Sequence, residues 1–173
     1  LNEQYEFLRS TVSEEINDTL INLVFNIDES EKFYVEKINI LGNNITQEDV
    51  IRNEFSVDEG DPFNELLHKK TLNNLKGLNF FSKVEDQIID GSLQNQKIIN
   101  IIVDEKPTGK IMAGAGVGSS GGSVAFGVSE NNFLGHGINF GADLSVSTET
   151  VKGIVFVDNP NYKGKNKSLN FSL

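Results

Sequence analysis

The sequence contains no cysteine, no tryptophan, one methionine and three prolines in 173 residues. Without cysteine there is no disulfide and no thiolate metal ligand, although the compartment stays open on that count alone. No window approaches the ~18 consecutive apolar residues that a membrane-spanning helix needs. No basic, apolar leader is visible either, and a chain that begins at Leu1 reads as a piece of something longer. Clustered basic residues are also missing. Lysine and arginine number 15 against 25 acids, a net charge of −10, which argues against a phosphate-backbone partner and so against nucleic acid.

What is present divides in two. Residues 1–107 hold 10 of the 15 bases and 21 of the 25 acids, a net of 10 − 21 = −11. Residues 108–173 carry 5 bases against 4 acids and 12 of the 16 glycines. With 38% hydrophobic and 23% charged residues the chain is not disordered in composition. Within the first part, "INLVFNIDE" at 21–29 resembles "INIIVDE" at 99–105, 78 positions on. That spacing suggests the tail of one module at 1–30 and a complete second copy at 33–105.

The complete copy reads as an α+β unit in the order β-α-α-β-β. "FYVEKINI" (33–40) alternates as a strand and "LGNN" turns. Thr46 is the expected N-cap of a short helix reaching about Phe55, with Asp49 favouring its start. "DEGDPF" breaks that helix, and Asn64 opens a second. Leu67, Thr71, Leu75 and Leu78 form one face of the second helix, and Gly77 is expected as its C-cap. "SKVEDQII" and "QKIINIIV" complete a hairpin across "DGSLQN".

From Lys110 the pattern becomes strand after strand: "KIMAGAGVG", "GSVAFGVSE", "GINFGADLSVS", "TVKGIVFVD" and "KSLNFSL". Each approaches the roughly 9–11 residues that cross a bilayer at a tilt. Ile111, Ala113, Ala115 and Val117 share one face of the first, with Gly114, Gly116 and Gly118 opposite. Val124, Phe126 and Val128 share a face of the second. Ile138, Phe140, Ala142, Leu144 and Val146 do so in the third. An apolar outside and a small, polar inside are the pattern of a membrane barrel. The fourth strand is mixed, with Ile154 and Phe156 opposite Val155 and Val157.

Two motif matches carry no chemistry. Gly116, Gly118 and Gly121 satisfy G-x-G-x-x-G, and Gly118, Ser120 and Gly122 satisfy G-x-S-x-G, but both lead into a strand where their chemistry requires a helix. His68 and His136 each read as lone surface histidines. The acidic run at 58–61 lacks the ligand spacing of a calcium loop. No catalytic, cofactor or metal site is expected, and the chain is not expected to be an enzyme.

"VEKINILGNNITQEDVIRNEF", "EGDPF" and "LNNLKGLNFFSKV" together resemble a POTRA domain, a periplasmic module that precedes outer-membrane barrels. "TGKIMAGAGVGSSGG", "ENNFLGHG" and "DNPNY" resemble the first barrel strands of the BamA family. The resemblance covers nearly the whole chain. It implies a last POTRA domain at 33–105 followed by the N-terminal strands of an antiparallel transmembrane β-barrel at 108–173, with the rest of the barrel and an Arg-Gly-Phe loop beyond Leu173. It also implies a bacterial outer-membrane location with the POTRA part in the periplasm. The implied activity is an insertase that receives unfolded outer-membrane proteins and folds them into the bilayer without a cofactor. Rival readings are a two-partner secretion or autotransporter-assembly barrel, and a passive porin or adhesin barrel with a periplasmic binding module.

Four expectations follow from the resemblance and the residues together. Asp58, Glu59 and Asp61 are expected to hold an accessory outer-membrane lipoprotein, with Glu59 pairing a partner arginine. Ile111, Met112, Ala113, Gly114, Ala115, Gly116, Val117 and Gly118 are expected to form a seam strand that opens as a lateral gate. "NNFLGHG" is expected as the tight periplasmic turn between the second and third strands. An edge of the POTRA sheet, "FYVEKINI" or "SKVEDQII", is expected to bind extended client segments or a neighbouring POTRA domain by strand addition, or else to stay solvated.

Overall fold

The computed structural model describes residues 8–17, 20–29, 32–119, 121–165 and 167–173. Ten strands and two helices follow in the order β1 (Leu8–Asn17), β2 (Leu20–Glu29), β3 (Tyr34–Leu41), α1 (Glu48–Arg52), α2 (Glu65–Gly77), β4 (Phe81–Asp90), β5 (Gln96–Glu105), β6 (Gly109–Gly118), β7 (Gly121–Glu130), β8 (Asn139–Ser147), β9 (Val151–Asn159) and β10 (Leu169–Ser172). They form three sheets: β1-β2, β3-β5-β4 and β10-β9-β8-β7-β6. Ser120, the centre of the G-x-S-x-G match, lies outside the described residues, as do positions 1–7, 18–19 and 30 of the expected N-terminal segment.

Contacts divide the chain into two compact units. The first holds the described residues up to Asn39 with Ser56–Thr71 and Asp86–Asn100; the second holds Ile40–Phe55, Leu72–Glu85 and Ile101–Leu173. In the first, β1 and β2 pair antiparallel from Leu8 with Glu29 to Asn17 with Leu20. Val35, Ile38, Val57 and Ile99 are its buried apolar side chains. Asn64 caps α2, its Oδ1 accepting the Leu67 N–H at 2.8 Å. His68 is not a surface residue: it is 5% exposed, and its Nε2 lies 2.8 Å from Asp86 Oδ2. The helical period explains why, because His68 lies three positions before Thr71 and seven before Leu75 on the buried stripe.

In the second unit Val50, Ile51, Phe55, Leu75, Phe80, Phe81, Ile101 and Val103 are buried. Helix α1 is shorter than its sequence suggests. It ends at Arg52, and its N-cap is Gln47, with no side-chain capping bond. Thr46 does not cap it, because its hydroxyl accepts a hydrogen bond from Asn132. Gly77 is the last residue of α2 and not a left-handed cap beyond it. The left-handed residue that stops the chain is Asn79, at φ +62, an arrangement asparagine tolerates better than most residues.

The five-stranded sheet is antiparallel throughout and in continuous register. Ile111 pairs with Val128, Val128 with Ala142 and Ala142 with Val155. Two residues along, Ala113 pairs with Phe126 and Phe126 with Leu144. Period-two alternation therefore assembles one apolar face across the strands. The register also resolves β9. Val155 and Val157 join the apolar face, while the Phe156 ring covers Gly141 on the other, so close that a β-carbon there would fall 2.3 Å from Phe156 Cζ. A large ring opposite a glycine fills the space the missing side chain leaves.

Candidate functional site

The acidic loop is built onto the edge of β3. Val35 N–H donates to Asp61 O at 2.9 Å, Gly60 N–H to Val35 O at 2.7 Å, and Phe63 N–H to Phe33 O at 2.7 Å, with a bridge between Tyr34 and Pro62. Glu59 Oε1 accepts the Ile38 N–H at 2.9 Å. Asp58 and Asp61 bond to the loop's own backbone, Asp61 Oδ2 accepting the Asp58 N–H at 2.9 Å. Gly60, at φ +92, supplies the turn that lets these bonds close. The three acids are brought together and exposed, and Glu59 is committed in part to β3. This pairing corrects one expectation: "FYVEKINI" is not an open edge, because its backbone already meets the 58–63 segment. Of the sheet's two outer strands, β4 is the one without such a covering segment among the described residues.

The second cluster was missed in the sequence. Glu105, at the end of β5, gathers three backbone donors from the loop before α1. Asn44 and Ile45 N–H reach Oε2 at 2.9 Å each, and Thr46 N–H reaches Oε1 at 2.6 Å. Burial pushes the Glu105 carboxyl up, but the hydrogen bonds from Thr46, Ile45 and Asn44 outweigh it and hold the group below the ordinary glutamate range. The turn "NNFLGHG" then docks on the same loop. Asn132, 6% exposed, donates from Nδ2 to Thr46 Oγ1 at 2.9 Å and accepts the Gly137 N–H at 2.7 Å. Gln47 N–H donates to Gly135 O at 2.9 Å.

Glycine is required in this turn. A β-carbon on Gly135, at φ +77, would fall 2.0 Å from Ile45 O. His136 is exposed, with Nε2 3.2 Å from Gln47 Nε2. Glu130 accepts from Thr108 Oγ1 and from the Asn132 N–H. The segments on either side of Lys106-Pro107 are thereby tied by buried or partly buried bonds. The available signal was the asparagine of the turn together with an acid ending β5.

The expected gate residues Ile111 to Gly118 all lie on β6, whose ten residues pair with β7 on one side and form the outer strand of the sheet. β-carbons added at Gly114 and Gly118 would meet nothing within 4 Å, and one at Gly116 only Ser123 Oγ at 3.5 Å. Crowding within the described residues therefore does not require these glycines.

A family model described as "Surface antigen variable number repeat", POTRA, matches residues 33–106. The outer membrane protein assembly factor BamA of Buchnera aphidicola is 35% identical over 126 residues, 72% of this chain and 20% of that protein. The factor of the same name from Neisseria meningitidis serogroup B is 26% identical over 155 residues, 88% of this chain and 19% of that protein. The crystal structure of BamA from Haemophilus ducreyi lacking POTRA domains 1-3 superposes with a TM-score of 0.75 at 26% identity, covering 97% of this chain and 32% of that one. The chain belongs to the BamA family. Its α+β module is a POTRA domain, and β6–β10 begin an antiparallel β-barrel. The chain spans about a fifth of the length of the curated relatives it matches.

Proposed function

We propose that this chain is the junction segment of an outer-membrane β-barrel assembly factor, which receives unfolded outer-membrane proteins in the periplasm and folds them into the outer membrane. The observation that carries the reading is the sheet. Five register-matched strands present one exposed apolar face, headed by a glycine-rich outer strand and preceded by a POTRA domain. An apolar face of this kind is stable against hydrocarbon. The outer edge of β6 offers backbone donors and acceptors to any extended strand, whatever its side chains. Glycine costs a strand roughly 0.5–1 kcal/mol relative to alanine, so Gly114, Gly116 and Gly118 keep the pairing of β6 weak enough to exchange.

The work is done by backbone pairing and burial, without covalent chemistry. The partners are unfolded clients, the lipid bilayer, and accessory lipoproteins at the exposed loop of Asp58, Glu59 and Asp61. Reconstituting the full-length protein in lipid vesicles and following the folding of a denatured outer-membrane protein tests the reading. Folding accelerated over empty vesicles supports it, and an unchanged rate rejects it. Reversal of Glu59 to lysine is expected to weaken lipoprotein capture, measured by co-purification; unchanged capture removes the loop from the partner site.

A further inference from the structure

A groove of about 970 Å³ lies in the second unit, where the POTRA loop meets the foot of β6 and β7. Its volume is at the upper end of the ~300–1,000 Å³ typical of ligand-holding clefts. Ile45, Ile111, Val128, Phe133, Leu134 and Phe140 supply its apolar wall. Three of these, Ile111, Val128 and Phe140, belong to the apolar face of the sheet.

The other three are held outward by rigid turns. Ile45 is 68% exposed although its own N–H and those of its two neighbours are fixed by Glu105. Leu134 is 71% exposed at φ +54, a conformation a leucine adopts only when the surrounding bonds impose it. Phe133 packs against Phe140 with the rings tilted by 38° and their centroids 5.4 Å apart. Ile45 and Leu134, held in water by loops this well bonded, mark a contact surface.

The acids at the groove point away from a polar ligand. Glu105 takes three backbone N–H groups, and Glu130 takes the Thr108 hydroxyl and the Asn132 N–H. Their charges are thus satisfied within the protein, which leaves the apolar wall together with Lys106 and Lys110, cations suited to the phosphate of a lipid headgroup. We infer that the groove holds an acyl chain of a membrane phospholipid, and that Ile45 and Leu134 carry the membrane-facing surface of the barrel onto the POTRA domain. The inference rests on reading the sheet as a bilayer wall, since the groove continues that wall without a break.

The test uses the full-length protein in vesicles of phosphatidylethanolamine and phosphatidylglycerol whose acyl chains carry bromine, which quenches nearby tryptophan. Variants Ile45→Trp, Leu134→Trp and Leu144→Trp are compared with the unsubstituted protein. All three are expected to lose emission, with Ile45→Trp and Leu134→Trp losing at least half the fraction lost at Leu144→Trp. Quenching at Leu144→Trp without quenching at Ile45→Trp overturns the groove assignment and leaves the wall intact. No quenching at Leu144→Trp overturns both. Quenching at Ile45→Trp that disappears when a denatured client is added, with the client cross-linking there, assigns the groove to the client and overturns the lipid.

Discussion

The POTRA domain and the sheet that follows it are built from similar amounts of apolar residue, used in opposite ways. Every buried apolar side chain among the described residues lies between Val35 and Val103, whereas Ile111, Val124, Phe126, Leu144 and Phe171 of the sheet are exposed. The first region closes a core against water. The second has a consistent face with no covering layer among the described residues, the arrangement of a wall that meets lipid under the proposed function. The difference teaches that register alone cannot reveal what an apolar face meets; the presence or absence of a second layer does.

The comparison breaks hardest at its centres. Leu75→Ala, at a fully buried position, is expected to cost about 2–5 kcal/mol by leaving a cavity, read as loss of protease resistance in the POTRA domain. Leu144→Lys is expected to cost about 2–4 kcal/mol if the face lies near the middle of a bilayer, but almost nothing if it is wetted. Denaturant unfolding of the full-length protein in vesicles separates these outcomes.

Between the two regions, Glu105→Gln leaves at least one backbone N–H of the 44–46 loop without its acceptor and is expected to cost about 1–3 kcal/mol locally. The sign of its pH dependence follows from the lowered folded-state pKa. The stabilisation is present in full above the ordinary value of 4.5 and is lost as the pH falls through the folded value. Hydrogen-exchange protection factors at Asn44, Ile45 and Thr46 should fall in acid in the natural protein, while in the variant they are already low at neutral pH and change less. The smallest expected effect is that of Gly114→Ala, about 0.5–1 kcal/mol of strengthening in β6. No clash opposes it, and it should slow client folding in the vesicle assay.

Much of this was legible in the chain. Alternation located the strands of the sheet because a two-faced sheet writes period two directly into its residues, and Asn64 announced α2 because its capping bond reaches a backbone N–H three residues on. What stayed hidden depended on partners far along the chain. Thr46 looks like a cap until Asn132, 86 residues on, takes its hydroxyl. His68 looks solvated until Asp86 appears beside it. The edge of β3 looks open until the acidic loop folds along it. Glu105 resembles the other acids that end a strand, and only the closing of the 42–47 loop around it turns the carboxylate into an anchor. A turn glycine such as Gly135 is visible from sequence, but not the Ile45 carbonyl that makes it necessary.

The central claim is that β6 opens at its outer edge to pair with client strands. In the full-length protein, a disulfide introduced between a β6 position from Ile111 to Gly118 and the last barrel strand locks that edge. With the cross-link verified by gel mobility, client folding in vesicles should stop and should return when the bond is reduced. Undiminished folding with the seam fully locked would contradict the account.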